Sequence, residues 1–217
     1  MQLARFRFNS RAFTLVEMLI VLSIIALLAA LTMGGYTYAM RSSKRRLTHG
    51  TFEAIKVALD RYFTEFGEFP EPAESGQIME IIPNKSYDVS GAACLYQALT
   101  GDGYDHIKGI SSTGSDDSAA KSDGKVQGTD EIAHKMLAEI PQTIWTRKGS
   151  FFIMIDGFGR PFQYVKSTPP TGGNTKPNTI NSTYDLWSYS EDEGNITKKS
   201  TDTVDSPKIA MKWIKNW

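Results

Sequence analysis

The sequence has few of the residues from which enzymes and metalloproteins build their sites. Of its 217 residues, one is cysteine and three are histidine. The single Cys94 excludes a disulfide within the chain and a cysteine-based zinc site. His49, His106 and His134 have no second histidine or carboxylate at ligand spacing, and hydrolase, P-loop and zinc-protease motifs are absent. We therefore predict that the protein is not an enzyme and that Cys94 is a buried thiol.

The chain also lacks a net charge, because 24 basic and 24 acidic residues cancel. No strongly basic surface is expected, which argues against nucleic acid as a partner. The length and the 41% hydrophobic content fit one folded domain with an appendage.

Charged residues are absent altogether from residues 18–40, and residues 18–31 are apolar except for Ser23. About 20 such residues span a bilayer as a helix. The preceding segment, MQLARFRFNSRA, is polar and basic. No small-x-small cleavage site follows the apolar run, so a secretory signal is not indicated, and a plain signal anchor is the simple alternative.

Glu17 argues against a plain anchor. A lone carboxylate in an apolar segment costs a few kcal/mol unless it is paired, so it is expected to be functional. Cleavage between Ala12 and Phe13 would create a partner, the α-amino group of Phe13. In a filament, Glu17 of one subunit would neutralise Phe13 of its neighbour and fix the register of the helices.

The residues Ala12, Phe13-Thr14-Leu15-Val16-Glu17 and the apolar run after them resemble the N-terminus of type IV pilins and pseudopilins. The resemblance implies that residues 1–12 are a leader removed by prepilin peptidase, and that Phe13 is then N-methylated. Residues 13–40 would be the transmembrane and filament-core helix. Residues 41–217 would be the extracytoplasmic domain of a single-pass protein of the bacterial inner membrane. One departure is Ala12, where the family usually has glycine.

For function, the resemblance implies assembly rather than catalysis. The partners would be other copies of the chain in a helical filament, other pseudopilins, prepilin peptidase, the inner-membrane platform and its ATPase, and inner-membrane lipid. The filament would be a periplasmic pseudopilus or a surface pilus. The alternative is a minor pilin or a membrane-anchored ligand-binding protein, with residues 71–147 as an insertion that contacts the ligand.

Beyond the apolar segment, we predict that the helix continues to Phe66, with apolar residues on one face and charged residues opposite. The apolar positions are Phe52, Ile55, Leu59, Tyr62, Phe63 and Phe66, and the charged ones are Glu53, Lys56, Asp60 and Glu65. Gly67 is expected to cap the helix, and Pro70 prevents its continuation. The pair Gly34-Gly35 is where we expect any interruption, because two residues of low helix propensity could let the helix melt or stretch inside a filament.

Residues 71–147 are the least regular part of the sequence. The segment from Ser90 to Gly101 reads as a short helix, and that from Thr129 to Ile140 as a second one. Residues 109–128 lack apolar periodicity and are predicted to be a loop.

Strand signals return after residue 150. Residues 151–155, 162–165 and 184–189 are rich in apolar and aromatic side chains, and residues 156–161 are predicted to be a turn. The predicted fold class is therefore α+β. A long N-terminal helix, half transmembrane and half amphipathic, would pack on a small antiparallel sheet of about three or four strands.

The second half of the sequence resembles one branch of the family, the major pseudopilin of type II secretion. The matching segments, in the family's order, are residues 58–62, 69–70, 156–164, 184–188 and 216–217. Major pseudopilins bind calcium in a C-terminal loop. The resemblance thus implies calcium at Ser188, Asp192, Asp202 and Asp205, since calcium prefers hard oxygen ligands. The alternative is a solvated acidic loop, because Ser190 and Glu193 stand where the family has glycine.

Overall fold

A computed structural model describes residues 13–72, 76–100, 137, 141–148, 151–169 and 177–217. The predicted leader, the predicted loop 109–128 and, apart from Leu137, the predicted helix 129–140 lie outside the described residues. The chain divides into two compact units, Met1–Ser42 and Ser43–Trp217.

Helix α1, Leu15–Phe66, has 52 residues and belongs to both units. In the single chain it runs through Gly34-Gly35 without a break, and an interruption there inside a filament stays a prediction. Each glycine costs a helix about 1 kcal/mol, which a helix of this length tolerates. The C-terminus is as predicted, because Gly67 has a φ of 76° and its N–H donates to the carbonyl oxygen of Phe63 at 2.8 Å.

In the first unit, α1 contains the apolar run. This is the one described helix that is long and apolar enough to cross a membrane, judged by length and composition alone. None of the most apolar stretch of this helix is buried within the described part of the chain.

In the second unit, α1 supplies one side of the main core. The predicted positions Phe52, Ile55, Leu59 and Tyr62 are all buried there. Phe63 is 45% exposed, so the stripe is narrower than predicted. Its ring instead stacks on Phe69 at the edge of the core, with ring centroids 4.8 Å apart.

Among the described residues of the second unit, seven short strands and two further helices follow α1. In chain order the elements are β1 (Ile78–Ile82), β2 (Lys85–Asp88), α2 (Ser90–Thr100), β3 (Trp145–Lys148), β4 (Phe151–Met154), β5 (Gln163–Lys166), β6 (Tyr184–Ser188), α3 (Asp202–Asp205) and β7 (Ile214–Lys215). Single 3₁₀ turns occupy Gln142–Ile144 and Pro207–Ala210. The α+β prediction and the short helix after Ser90 are confirmed.

The described strands form three antiparallel sheets, whereas we predicted a single antiparallel sheet. β1 pairs with β2, β3 pairs with β4, and β6 lies between β5 and β7. In the three-stranded sheet, Tyr164 is opposite Leu186 and Ser188 is opposite Ile214.

Cys94 on α2 is fully buried in the main core, as predicted, and this burial raises the pKa of its thiol.

Helix α2 lies so close to β5 that Gly91 has no room for a side chain. A methyl group there would be 2.5 Å from the carbonyl oxygen of Tyr164 and 2.7 Å from its nitrogen.

We predict that Gly91→Ala lowers the free energy of unfolding by about 1–3 kcal/mol, because the backbone must move. Gly50→Ala is the matched control, since nothing lies within 4 Å of a methyl group there. Chemical denaturation compares the two, and equal stability of both variants would contradict the close contact.

Candidate functional site

The carboxylate of Glu17 caps the start of helix α1. Its Oε2 accepts hydrogen bonds from the Thr14 N–H and the Thr14 hydroxyl, both at 2.9 Å. In return, the Glu17 N–H donates to the Thr14 hydroxyl oxygen at 3.2 Å. This reciprocal arrangement is a capping box, which satisfies N–H groups that the helix itself leaves without acceptors. The spacing Thr-x-x-Glu is the sequence signal for this cap, which is a role of Glu17 beyond the predicted pairing with another subunit.

The cap leaves Glu17 able to bind a cation as well. Both bonds from Thr14 end on Oε2, so Oε1 is an acceptor for a further partner within the part of the chain that the structure describes. Phe13, whose α-amino group is the predicted partner, is 75% exposed. Bonds to exposed groups are exchanged at low cost.

The side chains that follow Glu17 present an apolar surface around the helix. The large exposed ones between residues 18 and 40 are Met18, Leu19, Ile20, Val21, Leu22, Ile24, Ile25, Leu27, Leu28, Leu31, Met33, Tyr36, Tyr38 and Met40. Two polar exceptions bond to their own helix: Ser23 donates to the carbonyl oxygen of Ile20 at 2.8 Å, and Thr32 to that of Ala29 at 3.0 Å. A helix that is apolar on all sides and buries nothing in its own chain suits a membrane or a helical bundle.

The family model for the prokaryotic N-terminal methylation motif matches residues 7–33 of the sequence. This N-terminal motif is the one that type IV pilin-like proteins carry. Pilin-like proteins are in general processed by prepilin peptidase, assembled into filaments and structural rather than enzymatic. The motif and the apolar helix indicate an inner-membrane-anchored prepilin with an extracytoplasmic domain. No curated protein and no solved structure matches the chain.

A second site of interest in this pilin-like chain is the turn after β4, centred on Asp156. Asp156 is 1% exposed, and its Oδ1 accepts the N–H groups of Phe158 and Arg160 at 2.8 and 2.9 Å. Its Oδ2 accepts the hydroxyl of Ser188 on β6 at 2.5 Å. Burial raises the pKa of Asp156, and these hydrogen bonds limit the rise because they favour the carboxylate.

The same turn is held against helix α1. The Gly157 N–H donates to the hydroxyl oxygen of Thr48 at 3.0 Å, and that hydroxyl donates to the carbonyl of Lys44 at 2.9 Å. A methyl group at Gly157 would lie 2.3 Å from the Lys44 oxygen. Asp156 and Gly157 therefore join α1, the turn and β6.

The turn continues into Arg160, whose buried guanidinium enters the loop after β6. It donates to the carbonyl oxygens of Ser190 and Asp192, and lies 3.5 Å from the carboxylate of Glu193. Ser190, with a φ of 50°, is one of the described non-glycine residues in the left-handed region. That conformation turns the loop back towards Arg160.

The four residues predicted to bind calcium are not brought into one group. Ser188 bonds to Asp156, and Asp202 accepts the Lys199 N–H at 2.9 Å. Asp205 is exposed at the end of α3. Among the described residues, no three His, Cys, Asp or Glu side chains are arranged to hold a metal.

Asp192 is surrounded by hydrogen-bond donors rather than by other oxygen ligands. It accepts bonds from the Asn195 side chain at 2.8 Å, the Gly194 N–H at 2.9 Å and the Trp213 indole at 3.1 Å. Burial alone would raise the pKa of Asp192, but these bonds outweigh it and hold the pKa below its usual value. Hydrogen-bond donors thus occupy the carboxylate of Asp192, and calcium at these four residues stays a prediction.

We predict that Asp156→Ala lowers the free energy of unfolding by about 3 kcal/mol or more, because it leaves two N–H donors in the turn and the Ser188 hydroxyl on β6 without their acceptor. In thermal melting this corresponds to a fall of about 6 °C or more. Asp205→Ala is the control, because Asp205 is exposed, and it should change stability by less than about 0.5 kcal/mol. Equal melting temperatures of the two variants would show that the carboxylate of Asp156 is not required.

Proposed function

We propose that the chain is a structural filament subunit, the major subunit of a type II secretion pseudopilus or of a related type IV pilus-like filament. It is cleaved between Ala12 and Phe13, N-methylated on Phe13 and assembled through residues 13–40. One observation carries the proposal: helix α1 changes along its length from an apolar surface that is exposed on all sides to the buried core of a domain.

The apolar half of α1 can lie in either of two environments, and its free energy is similar in both. In the membrane its side chains contact lipid, and in a filament they contact the same helices of other subunits. Lipid tails are as apolar as leucine, so helix association gains from packing and polar pairing rather than from water exclusion. A charge pairing that stabilises the subunit little in the membrane and more in the helical bundle of the filament would therefore direct assembly.

Glu17 supplies such a pairing. In a low-dielectric bundle an unpaired carboxylate is costly, whereas one paired with an amine is tolerated. The Phe13 amine of a neighbouring subunit is the cation that leader cleavage makes available. The Thr14 cap would hold the Glu17 side chain in place while Oε1 accepts the new partner.

The pseudopilin assignment has support in the second unit. The segment that resembles the family, residues 156–164, forms the turn that joins α1 to the three-stranded sheet. The matching residues 184–188 and 216–217 lie beside one another, since the Leu186 N–H donates to the Asn216 side chain at 3.0 Å. The resembling segments thus meet in one part of the domain.

Mass spectrometry of the N-terminus tests the processing step. Protein purified from membranes of a cell with prepilin peptidase should begin at methylated Phe13, and protein from a peptidase-deficient cell should retain residues 1–12. A mature N-terminus elsewhere, or an intact leader in both cells, would contradict the proposal.

Two Glu17 variants separate the helix cap from the charge pairing. Glu17→Gln can still accept the Thr14 bonds, because glutamine also serves in a capping box, but it carries no charge. We predict that Glu17→Ala and Glu17→Gln both insert into the membrane and both fail to assemble, with filament yield reduced about tenfold or more. The yield is measured as sheared filaments relative to membrane-bound subunit.

Glu53→Ala is the control, because Glu53 is an exposed carboxylate on the same helix, 3.0 Å from Lys56. It should assemble like the unaltered chain. Normal filaments from Glu17→Gln alone would show that the cap, and not the charge, is needed. Normal filaments from both Glu17 variants would exclude any role of this carboxylate in assembly.

A further inference from the structure

The loop after β6 binds a cation that belongs to the chain itself. The guanidinium of Arg160, whose side chain is 6% exposed, donates to the carbonyl oxygens of Ser190 and Asp192. The carboxylate of Glu193 lies 3.5 Å from it. Backbone carbonyls and a carboxylate from one short loop are also the type of oxygen ligands that bind calcium.

The acidic side chains of the loop have partners as well. Glu191 lies 4.0 Å from Arg45 of α1, and Glu193 lies 2.9 Å from Lys85 of β2. Asp192 accepts its hydrogen bonds from the Trp213 indole and from neighbouring amides. Each acidic residue of the loop thus has a partner that the chain itself provides.

We propose that the Arg160 guanidinium is the resident cation of residues 188–193, and that it occupies the position where this loop would otherwise bind calcium. The domain then folds without calcium, contrary to what the resemblance to major pseudopilins implies. Calcium and the guanidinium exclude each other, because both need the carbonyl oxygens of Ser190 and Asp192 and because two buried cations repel each other. The proposal does not depend on filament assembly.

Thermal melting of the full chain in detergent tests the proposal. The melting temperature of the unaltered protein should be the same with chelator and with about 1 mM calcium, a concentration that fills extracellular calcium modules. Arg160→Gln in chelator should melt about 6 °C or more lower, because it removes the donor from the buried carbonyl oxygens of Ser190 and Asp192. Calcium, but not magnesium, should restore part of this loss, since magnesium is reluctant to shed its waters.

Two other arginine variants are the controls. Arg160→Lys retains the charge, so it should melt above Arg160→Gln and should not respond to calcium. Arg147→Gln removes an exposed guanidinium on β3 and should have a small effect that calcium does not change. The proposal is overturned if calcium stabilises the unaltered protein, if Arg160→Gln melts like Arg147→Gln, or if calcium fails to restore Arg160→Gln.

A binding measurement on the unaltered protein decides the matter if Arg160→Gln does not fold. The Trp213 indole lies 3.1 Å from Asp192, so terbium bound in this loop would give tryptophan-sensitised luminescence. We expect no emission that calcium displaces. Emission that calcium displaces and that Asp192→Ala abolishes would overturn the proposal.

Discussion

A buried carboxylate at the end of β4 organises the second unit. Asp156 receives two backbone N–H groups of its own turn and the hydroxyl of Ser188 on β6. The conformation that these bonds fix places Gly157 against α1 and Arg160 inside the loop after β6. Because one side chain sets all of these contacts, the helix, the sheet and the acidic loop depend on a single desolvated charge. Such a charge is stable only while its hydrogen bonds remain.

Local patterns in the sequence predicted the parts of the fold that depend on local rules. The end of α1 at Gly67, helix α2 and the strands after residue 150 follow from glycine conformation and apolar periodicity. The hairpin of β1 and β2 was missed because residues 78–82 do not alternate, and Ile78 is 64% exposed. The prediction of one sheet was also wrong, because the described strands form three sheets. Pairing between distant strands leaves no local pattern in the sequence.

The candidate sites differ in the same way. The cap formed by Thr14 and Glu17 is readable from a spacing of three residues. In the acidic loop, by contrast, the cationic partners Arg45, Lys85 and Arg160 are far away in the sequence. A run of acidic residues looks the same whether a metal or distant basic side chains will neutralise it. Only the structure distinguishes the two, because it shows which side chains the fold brings to the loop.

The two kinds of charge pairing suit different roles in a pilin-like subunit. Among the described residues, the exposed side chain of Glu17 is bonded to its near neighbour Thr14, so a new partner can replace or join these bonds at little cost. Arg160 is buried and donates to the carbonyl oxygens of Ser190 and Asp192, so its loss leaves these desolvated acceptors without its hydrogen bonds. An exchangeable pair is what a subunit needs where it must pass from membrane to filament. A fixed pair is what the domain needs in order to keep one structure in both.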